Sequence, residues 1–258
     1  MATDTTTESA SATHTIPEST FRPYRLTVDQ YERMSSAGIF SEKEPIFLWT
    51  GRLVEKIRET ASTSSPPPKT FPPHRVTVDR YLRMVETGIF SAKEPIFLWH
   101  GRLVEKMSKG FPHSFALITL ARLLDRLLPE GWHVRQEAPV ALNDDSMPEP
   151  DISVARGTSR DYLTRHPTSP DVAMLVEVAD SSLGVDSGEV LQTYAREGIL
   201  VYWLVNIPAS RVEVYTEPLR AHEPRGYRQC RHFGPGEAIP VILDGHEVGR
   251  VAVDEFLP

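Results

Sequence analysis

The chain has 258 residues, of which 40% are hydrophobic, and this is enough for one sizeable core with additional segments around it. Its formal net charge of −7 argues against a protein that coats nucleic acid nonspecifically. The single cysteine, Cys230, excludes an intrachain disulfide framework and a cysteine-based zinc site. We therefore expect a cytoplasmic protein, and because no apolar run approaches membrane-spanning length, we expect no membrane partner.

The N-terminal part of the chain contains a tandem repeat. Residues 21–57 recur fifty positions later as residues 71–107, and about 26 of the 37 aligned positions are identical. Each copy predicts a short helix that begins at Thr-Val-Asp, followed by a β-hairpin whose second strand contains Arg-Leu-Val-Glu. We expect the first copy to pack on the surface of the domain or to exchange segments with the second copy.

Two low-complexity stretches flank the first copy. Residues 1–20 are rich in Ser, Thr and Ala and lack the basic start and apolar core of a signal peptide, so they are predicted to be a disordered tail. Residues 58–70 are rich in Ser and Pro and are predicted to be a linker. The predicted organisation is therefore a tail, a helix-hairpin module at residues 21–57, the linker, and a main domain at residues 71–258.

Beyond its copy of the repeat, the main domain predicts a mixed α/β fold. An apolar helix spans residues 113–128, and an apolar strand lies at residues 171–180. A helix at residues 187–197, opened by Asp186 with Glu189 in capping-box fashion, then leads to a further apolar strand, which predicts a right-handed parallel crossover. The remaining strands of the predicted sheet are residues 132–142, 152–155, 200–207, 211–216, 227–233, 239–243 and 248–253.

Two carboxylates are associated with this predicted sheet. Glu177 lies inside the apolar strand at residues 171–180, where an ionised carboxylate costs several kcal/mol unless a cation or several donors meet it. A metal ion is one explanation, and a solvated strand end or an arginine partner is the other. Asp151 stands directly before the strand at residues 152–155 and favours the metal ion.

A series of spaced motifs gives the chain a specific resemblance. Pro150-Asp151, Val176-Glu177-Val178, Tyr194-Ala195-Arg196-Glu197-Gly198-Ile199 and Tyr202-Trp203-Leu204-Val205-Asn206 occur in this order. From Val76 to Pro258 the chain is similar to the "putative restriction endonuclease" family of the Uma type, a branch of the PD-(D/E)XK nuclease superfamily. The resemblance implies the fold class α/β (α+β mixed sheet), with a restriction-endonuclease-like core in which helices flank a central mixed β-sheet.

The same resemblance implies a Mg²⁺-dependent DNA endonuclease that hydrolyses phosphodiester bonds. In the superfamily an aspartate and a glutamate bind the metal with a nearby backbone carbonyl, which here implies Asp151, Glu177 and the carbonyl of Val178. Carboxylate oxygens are the hard ligands that Mg²⁺ prefers, and Mn²⁺ is the alternative ion. DNA is the implied partner, and a homodimer is left open.

His113 and Gln136 complete the candidate catalytic set with Asp151 and Glu177. His113 lies at the start of the apolar helix, where a histidine is otherwise a cap or a packing residue. Gln136 lies on a strand that flanks the acids, where the alternative is a satisfied buried amide. Glu149 is either a further ligand or a solvated residue in a proline-rich turn.

Three positions depart from the family pattern. The superfamily's lysine would stand at Ala179, the Uma branch places it instead at the position of Val190, and a glutamate that is common in the hairpin is replaced by Phe97. Loss of the lysine removes a positive charge that would stabilise the developing phosphorane. The alternative function is therefore a catalytically inactive nuclease-fold protein that acts in DNA or protein binding, and assembly through the duplicated module is a further hypothesis. Candidates for a substitute cation are Lys106, Arg196 and Arg160.

Overall fold

The computed structural model describes residues 19–41, 43–56, 71–91, 94–219 and 226–258. Positions 1–18 of the predicted tail and the whole predicted linker lie outside these ranges. None of the helices within the ranges combines the length and the apolar character that a membrane crossing needs.

Each repeat folds into a short helix and a β-hairpin, as the sequence predicts. The side chain of Thr27 caps the first helix by accepting from the Gln30 N–H at 3.1 Å, and Thr77 caps the second by accepting from the Arg80 N–H at 3.3 Å. The elements of the first repeat are α1 (Val28–Ser36), β1 (Ile46–Trp49) and β2 (Arg52–Glu55), and those of the second are α2 (Val78–Glu86), β3 (Ile96–Trp99) and β4 (Arg102–Glu105).

The two repeats exchange the segments that precede their helices. The segment before α1 pairs with β4 of the second repeat, where the Tyr24 N–H donates to the Leu103 carbonyl at 2.9 Å. The segment before α2 pairs with β2 of the first repeat, where the His74 N–H donates to the Leu53 carbonyl at 2.9 Å. Each repeat therefore completes the hairpin of the other, in the reciprocal way that two subunits of a twofold dimer would.

Side chains from both repeats share one apolar cluster. Met34 and Met84, which occupy the same position in α1 and α2, are both fully buried in it. The guanidinium of Arg83 donates to the Gly38 carbonyl at 2.9 Å, and Arg33 makes the reciprocal contact with the second repeat. The repeats thus form one packed body.

A six-stranded mixed sheet lies at the centre of residues 108–258, which we call the sheet domain. The chain order of its elements is α3 (Phe111–Leu127), β5 (Trp132–Gln136), β6 (Ile152–Arg156), β7 (Val172–Ala179), α4 (Leu183–Val185), a π-helical turn (Asp186–Val190), α5 (Leu191–Arg196), β8 (Val201–Asn206), β9 (Arg211–Pro218), β10 (Tyr227–Phe233), β11 (Ala238–Leu243) and β12 (His246–Ala252). The strands of the sheet are ordered β10-β9-β8-β7-β6-β5. β7 and β8 are parallel and the other neighbouring pairs are antiparallel, which confirms the predicted parallel crossover.

Side chains of β8 alternate between two cores, one on each face of the sheet. Trp203 and Val205 pack with α3 on one face, whereas Tyr202 and Leu204 pack on the other face with the crossover and with the β3–β4 hairpin. The second repeat and the crossover therefore cover the same face of the sheet.

The structure corrects three predicted elements. β5 ends at Gln136 instead of continuing to residue 142, because Glu137 has a left-handed φ of 46° and Pro139 has no N–H to donate. β11 and β12 form a separate two-stranded sheet instead of extending the central one. The crossover helix begins at Leu183, so Asp186 lies inside the helical segment and the predicted capping box was wrong.

Replacing Met34 with alanine should destabilise the whole chain, since the cavity would lie in the cluster that both repeats share. We expect a loss of about 2–5 kcal/mol in the free energy of unfolding, measured by urea denaturation, in a single transition. Val28→Ala is the control, because Val28 lies on the same helix with 63% of its surface exposed. A separate early transition for the first repeat would contradict the single packed body.

Candidate active site

Asp151 and Glu177 face each other on the antiparallel strands β6 and β7. Ile152, the first residue of β6, pairs with Val176, which places Asp151 opposite Glu177. The Asp151 N–H donates to Glu177 Oε2 at 3.3 Å, and the Val178 N–H donates to Asp151 Oδ2 at 2.7 Å. The two carboxylates singled out in the sequence are thus neighbours in the fold.

Asp151 is buried, and three donors surround its carboxylate. Lys109 Nζ lies 2.6 Å from Oδ1, and His113 Nε2 lies 3.0 Å from Oδ2, on the oxygen that also accepts from Val178. Burial would raise the pKa of Asp151, but the hydrogen bond from His113 and the charge of Lys109 outweigh burial and lower the pKa below its ordinary value. Asp151 is therefore ionised at neutral pH, and His113 carries a proton on Nε2.

Among the described residues, no cation donates to the carboxylate of Glu177 or Asp186. Their carboxylates accept only neutral hydroxyl or amide donors among the described residues, such as Tyr194 Oη at 2.6 Å from Glu177 Oε1 and Ser182 Oγ on Asp186. Burial and the charges of Asp151 and Asp186 raise the pKa of Glu177 well above its ordinary value. Burial also raises the pKa of Asp186 to about 7, with the charge of Asp151 as a further cause. The site therefore holds more carboxyl groups than cations among the described residues, and protons neutralise part of their charge.

These carboxylates open into a cleft bounded by the second repeat, the loop before α3 and the crossover. Phe97 and Trp99 of β3 form one wall, and the loop at residues 106–110 forms another. Other residues lining the cleft are Phe21, Pro148, Glu149, Asp180, Ser181 and Val190.

The sequence matches a family model over much of this region. The Uma2 model, described as "Putative restriction endonuclease", matches residues 78–247, which is more than half of the chain. The chain belongs to the Uma2 family. The family resemblance predicted from the spaced motifs is thereby confirmed.

A solved structure supports the same fold for this Uma2 member. The crystal structure of a protein from Anabaena variabilis, titled "a putative nuclease belonging to DUF820", matches with a TM-score of 0.51 and 17% sequence identity, over 70% of this chain and 97% of that chain. This likeness confirms the predicted nuclease-like α/β fold. No curated protein matches the sequence.

Of the other residues predicted for the site, His113 and Glu149 lie at the cleft and Gln136 does not. His113, in the first turn of α3, contacts Asp151 directly. Glu149 lines the cleft in an ion pair with Lys106. Gln136 is exposed at the end of β5 and is not one of the described residues that line the cleft, so the alternative of a buried amide was wrong. The catalytic role of Gln136 stays a prediction.

The positions that depart from the family pattern belong to one apolar cluster beside the carboxylates. Val190 and Phe97 are buried in it together with Ala179. Phe21 of the first repeat packs edge-on against Phe97, with 5.1 Å between the ring centroids. Where the resemblance implied a lysine and a glutamate, this Uma2 member therefore has side chains that pack and carry no charge.

Lys109 is a cation of the site that the sequence did not reveal. It lies in the loop before α3 and contacts both Asp151, at 2.6 Å, and Glu137, at 2.5 Å. Burial would lower the pKa of Lys109, but Asp151 outweighs burial and raises it, so the ammonium stays charged. A lysine just before a helix has no spacing that distinguishes it from a surface lysine. Of the substitutes predicted earlier, Lys106 lines the cleft, whereas Arg160 and Arg196 are not among the described residues that do.

Replacing Asp186 with asparagine should stabilise the metal-free protein at high pH. Because the pKa of Asp186 is about 7 in the folded chain, against an ordinary value of 3.8, folding takes up a proton between these values and stability falls as the pH rises through them. Asparagine removes this penalty and still accepts from Ser182. We expect a gain of about 2–4 kcal/mol at pH 8 and little at pH 4, measured by urea denaturation with EDTA. A gain that is the same at both pH values would contradict the assignment.

Proposed function

We propose that this Uma2 member is a Mg²⁺-dependent DNA endonuclease that hydrolyses phosphodiester bonds. The observation that carries the proposal is the meeting of Asp151 and Glu177 across β6 and β7, with Lys109 on Asp151. Two adjacent carboxylates beside a cation are the groups that metal-assisted phosphodiester hydrolysis needs. Membership of the family and the nuclease-like fold support the same reaction class.

The donor set fits a divalent ion. Asp151, Glu177 and Asp186 offer hard carboxylate oxygens, and the raised pKa values of Glu177 and Asp186 indicate uncompensated negative charge that a divalent cation would balance. We assign Asp151 and Glu177 as ligands with the backbone carbonyl of Val178, and Mg²⁺ or Mn²⁺ as the ion. When bound, the ion would lower the pKa of a coordinated water and offset the charge of the phosphate.

The protein side chains have separate tasks in this proposal. His113 and the Val178 N–H hold the orientation of Asp151, and Tyr194 holds that of Glu177. Lys109 lies beside Asp151, where its ammonium would stabilise negative charge that develops on a phosphate bound in the cleft. We therefore assign to Lys109 the task of the lysine that is missing at Ala179 and Val190.

Cleavage of supercoiled plasmid DNA with Mg²⁺ or Mn²⁺ tests the proposed reaction. We expect the natural protein to nick or linearise the plasmid, and Asp151→Ala and Glu177→Ala to reduce the rate by at least about a hundredfold, because each removes a metal ligand. Circular dichroism of each variant provides the control for folding. Unchanged cleavage in Asp151→Ala would exclude this site.

Replacing Lys109 with alanine should separate turnover from metal binding. The rate of DNA cleavage should fall by about a hundredfold, because the positive charge that would stabilise the phosphate is lost. The Mn²⁺ affinity should stay equal or increase, because Asp151 loses its competing cation; isothermal titration calorimetry measures this. Lys106→Ala is the comparison, since Lys106 pairs with Glu149 and should matter far less. Equal losses in both variants would contradict the role of Lys109.

The apolar cluster favours a second candidate, a nuclease-fold protein that binds DNA or protein without cutting it. Phe97 and Val190 fill the places of a charged pair and are packed with Phe21. If this candidate is correct, the natural protein binds labelled DNA in fluorescence anisotropy but does not cleave it. The double variant Phe97→Glu/Val190→Lys, which restores the charged pair, should then gain cleavage.

A further inference from the structure

The exchange of segments between the repeats gives the first repeat a place at the candidate site. The first part of the segment before α1 lies along β4 of the second repeat, where Pro23 bridges to Val104. At the start of this segment, Phe21 lines the cleft that holds the carboxylates. A residue of the first repeat thus stands in a site otherwise built by the second repeat and the sheet domain.

Phe21 belongs to an aromatic trio at the wall of the cleft. Its ring is 5.1 Å from that of Phe97 and 5.4 Å from that of Trp99, and all contacts are edge-to-face. Phe21 has 9% of its surface exposed and Trp99 none. The trio is therefore part of the packed core beneath the crossover.

An equivalent trio, formed by Phe71 of the second repeat with Phe47 and Trp49 of the first, is more exposed. Phe71 lies 4.8 Å from Phe47 and 5.5 Å from Trp49, which is nearly the same geometry. However, Phe71 is 37% exposed and Trp49 is 54% exposed. In both trios the first phenylalanine packs edge-on against the other two rings, but the rings of the second trio are far more exposed. This difference provides a matched control within one molecule.

Glu189 joins the exchanged segment to the crossover. Its Oε2 accepts from the Thr20 N–H at 2.8 Å, from Thr20 Oγ1 at 2.9 Å and from Ser19 Oγ at 3.1 Å. Its Oε1 accepts from Trp99 Nε1 at 2.6 Å. The Glu189 carboxylate therefore connects the crossover both to the second repeat and to the two residues that directly precede the first repeat.

Glu189 lies in the same π-helical turn as Asp186, one of the three carboxylates of the cleft. The turn also carries Val190, which packs in the cluster of Phe21 and Phe97. Glu189 and Val190 lie three and four residues after Asp186, so their contacts hold the backbone of the turn that carries Asp186. The contacts of the first repeat thus reach the carboxylates through two neighbouring residues.

We propose that the first repeat acts as a built-in second subunit: its residue Phe21 and the adjoining Thr20 are positioning residues that hold the π-helical turn, and with it Asp186, at the metal-binding cleft. The inference rests on the proposed function, because it assigns a purpose to the cleft as a metal site. The inference gives the duplicated segment a role in positioning the metal site.

The test compares Thr20→Val and Phe21→Ala with the control Phe71→Ala in the full-length chain. Thr20→Val is the variant that keeps the core intact, because Thr20 is exposed and loses only its hydroxyl contact. We expect Thr20→Val and Phe21→Ala to weaken Mn²⁺ binding in calorimetry, by roughly 10- to 100-fold for Phe21→Ala. Hydrogen exchange at residues 183–196 should become faster in both, and Phe71→Ala should change neither property.

The outcomes separate this inference from the proposed function. If the natural protein binds Mn²⁺ and both test variants bind it equally well, the positioning role is wrong while the metal site stands. If Phe71→Ala loses as much affinity as Phe21→Ala, the effect is general destabilisation and the inference is again wrong. If the natural protein binds no Mn²⁺ and cuts no DNA, the proposed function fails and the inference fails with it.

Discussion

The buried carboxylate of Asp151 is the constraint on which the rest of the site depends. It cannot be buried as an anion without donors, and a single strand cannot supply them. The donors come from three separate elements, namely the amide of Val178 in β7, the imidazole of His113 in α3 and the ammonium of Lys109 in the preceding loop. Satisfying one charge therefore fixes the position of the helix and the loop relative to the sheet.

The three carboxylates of the cleft differ in protonation because their surroundings differ. Asp151, which accepts from Lys109 and His113, is held ionised, whereas Glu177 and Asp186 accept only from neutral donors among the described residues and have raised pKa values. A cation entering such a site displaces protons as it binds, so its affinity rises with pH through the neutral range.

Much of the fold follows from local patterns in the sequence. The apolar runs of β7 and β8 with a helix between them predict the parallel pair, and the capping threonines predict both helices of the repeats. Asp151 and Glu177 are recognisable because each is a charge beside or within an apolar strand. Their proximity required only the antiparallel pairing of two consecutive strands.

The remainder depends on contacts between distant parts of the chain. Lys109 becomes a site residue only because the loop before α3 folds over Asp151, 42 positions away. In the sequence, Asp186 has the pattern of a helix cap. In the structure the crossover helix already begins at Leu183, so Asp186 lies inside the helical segment and is buried. The similar sequences of the two repeats likewise cannot reveal which hairpin the segment before each helix will join, since both pairings satisfy the same backbone groups.

The reciprocal pairing of the two repeats has a consequence for how this cleft responds to dilution. In a dimer of separate chains, a wall supplied by the partner is lost when the protein concentration falls below the dissociation constant. Here both halves belong to one polypeptide, so their association is an intramolecular equilibrium that concentration does not affect. Each molecule, however dilute, therefore keeps the wall of the cleft to which Phe21 of the first repeat contributes.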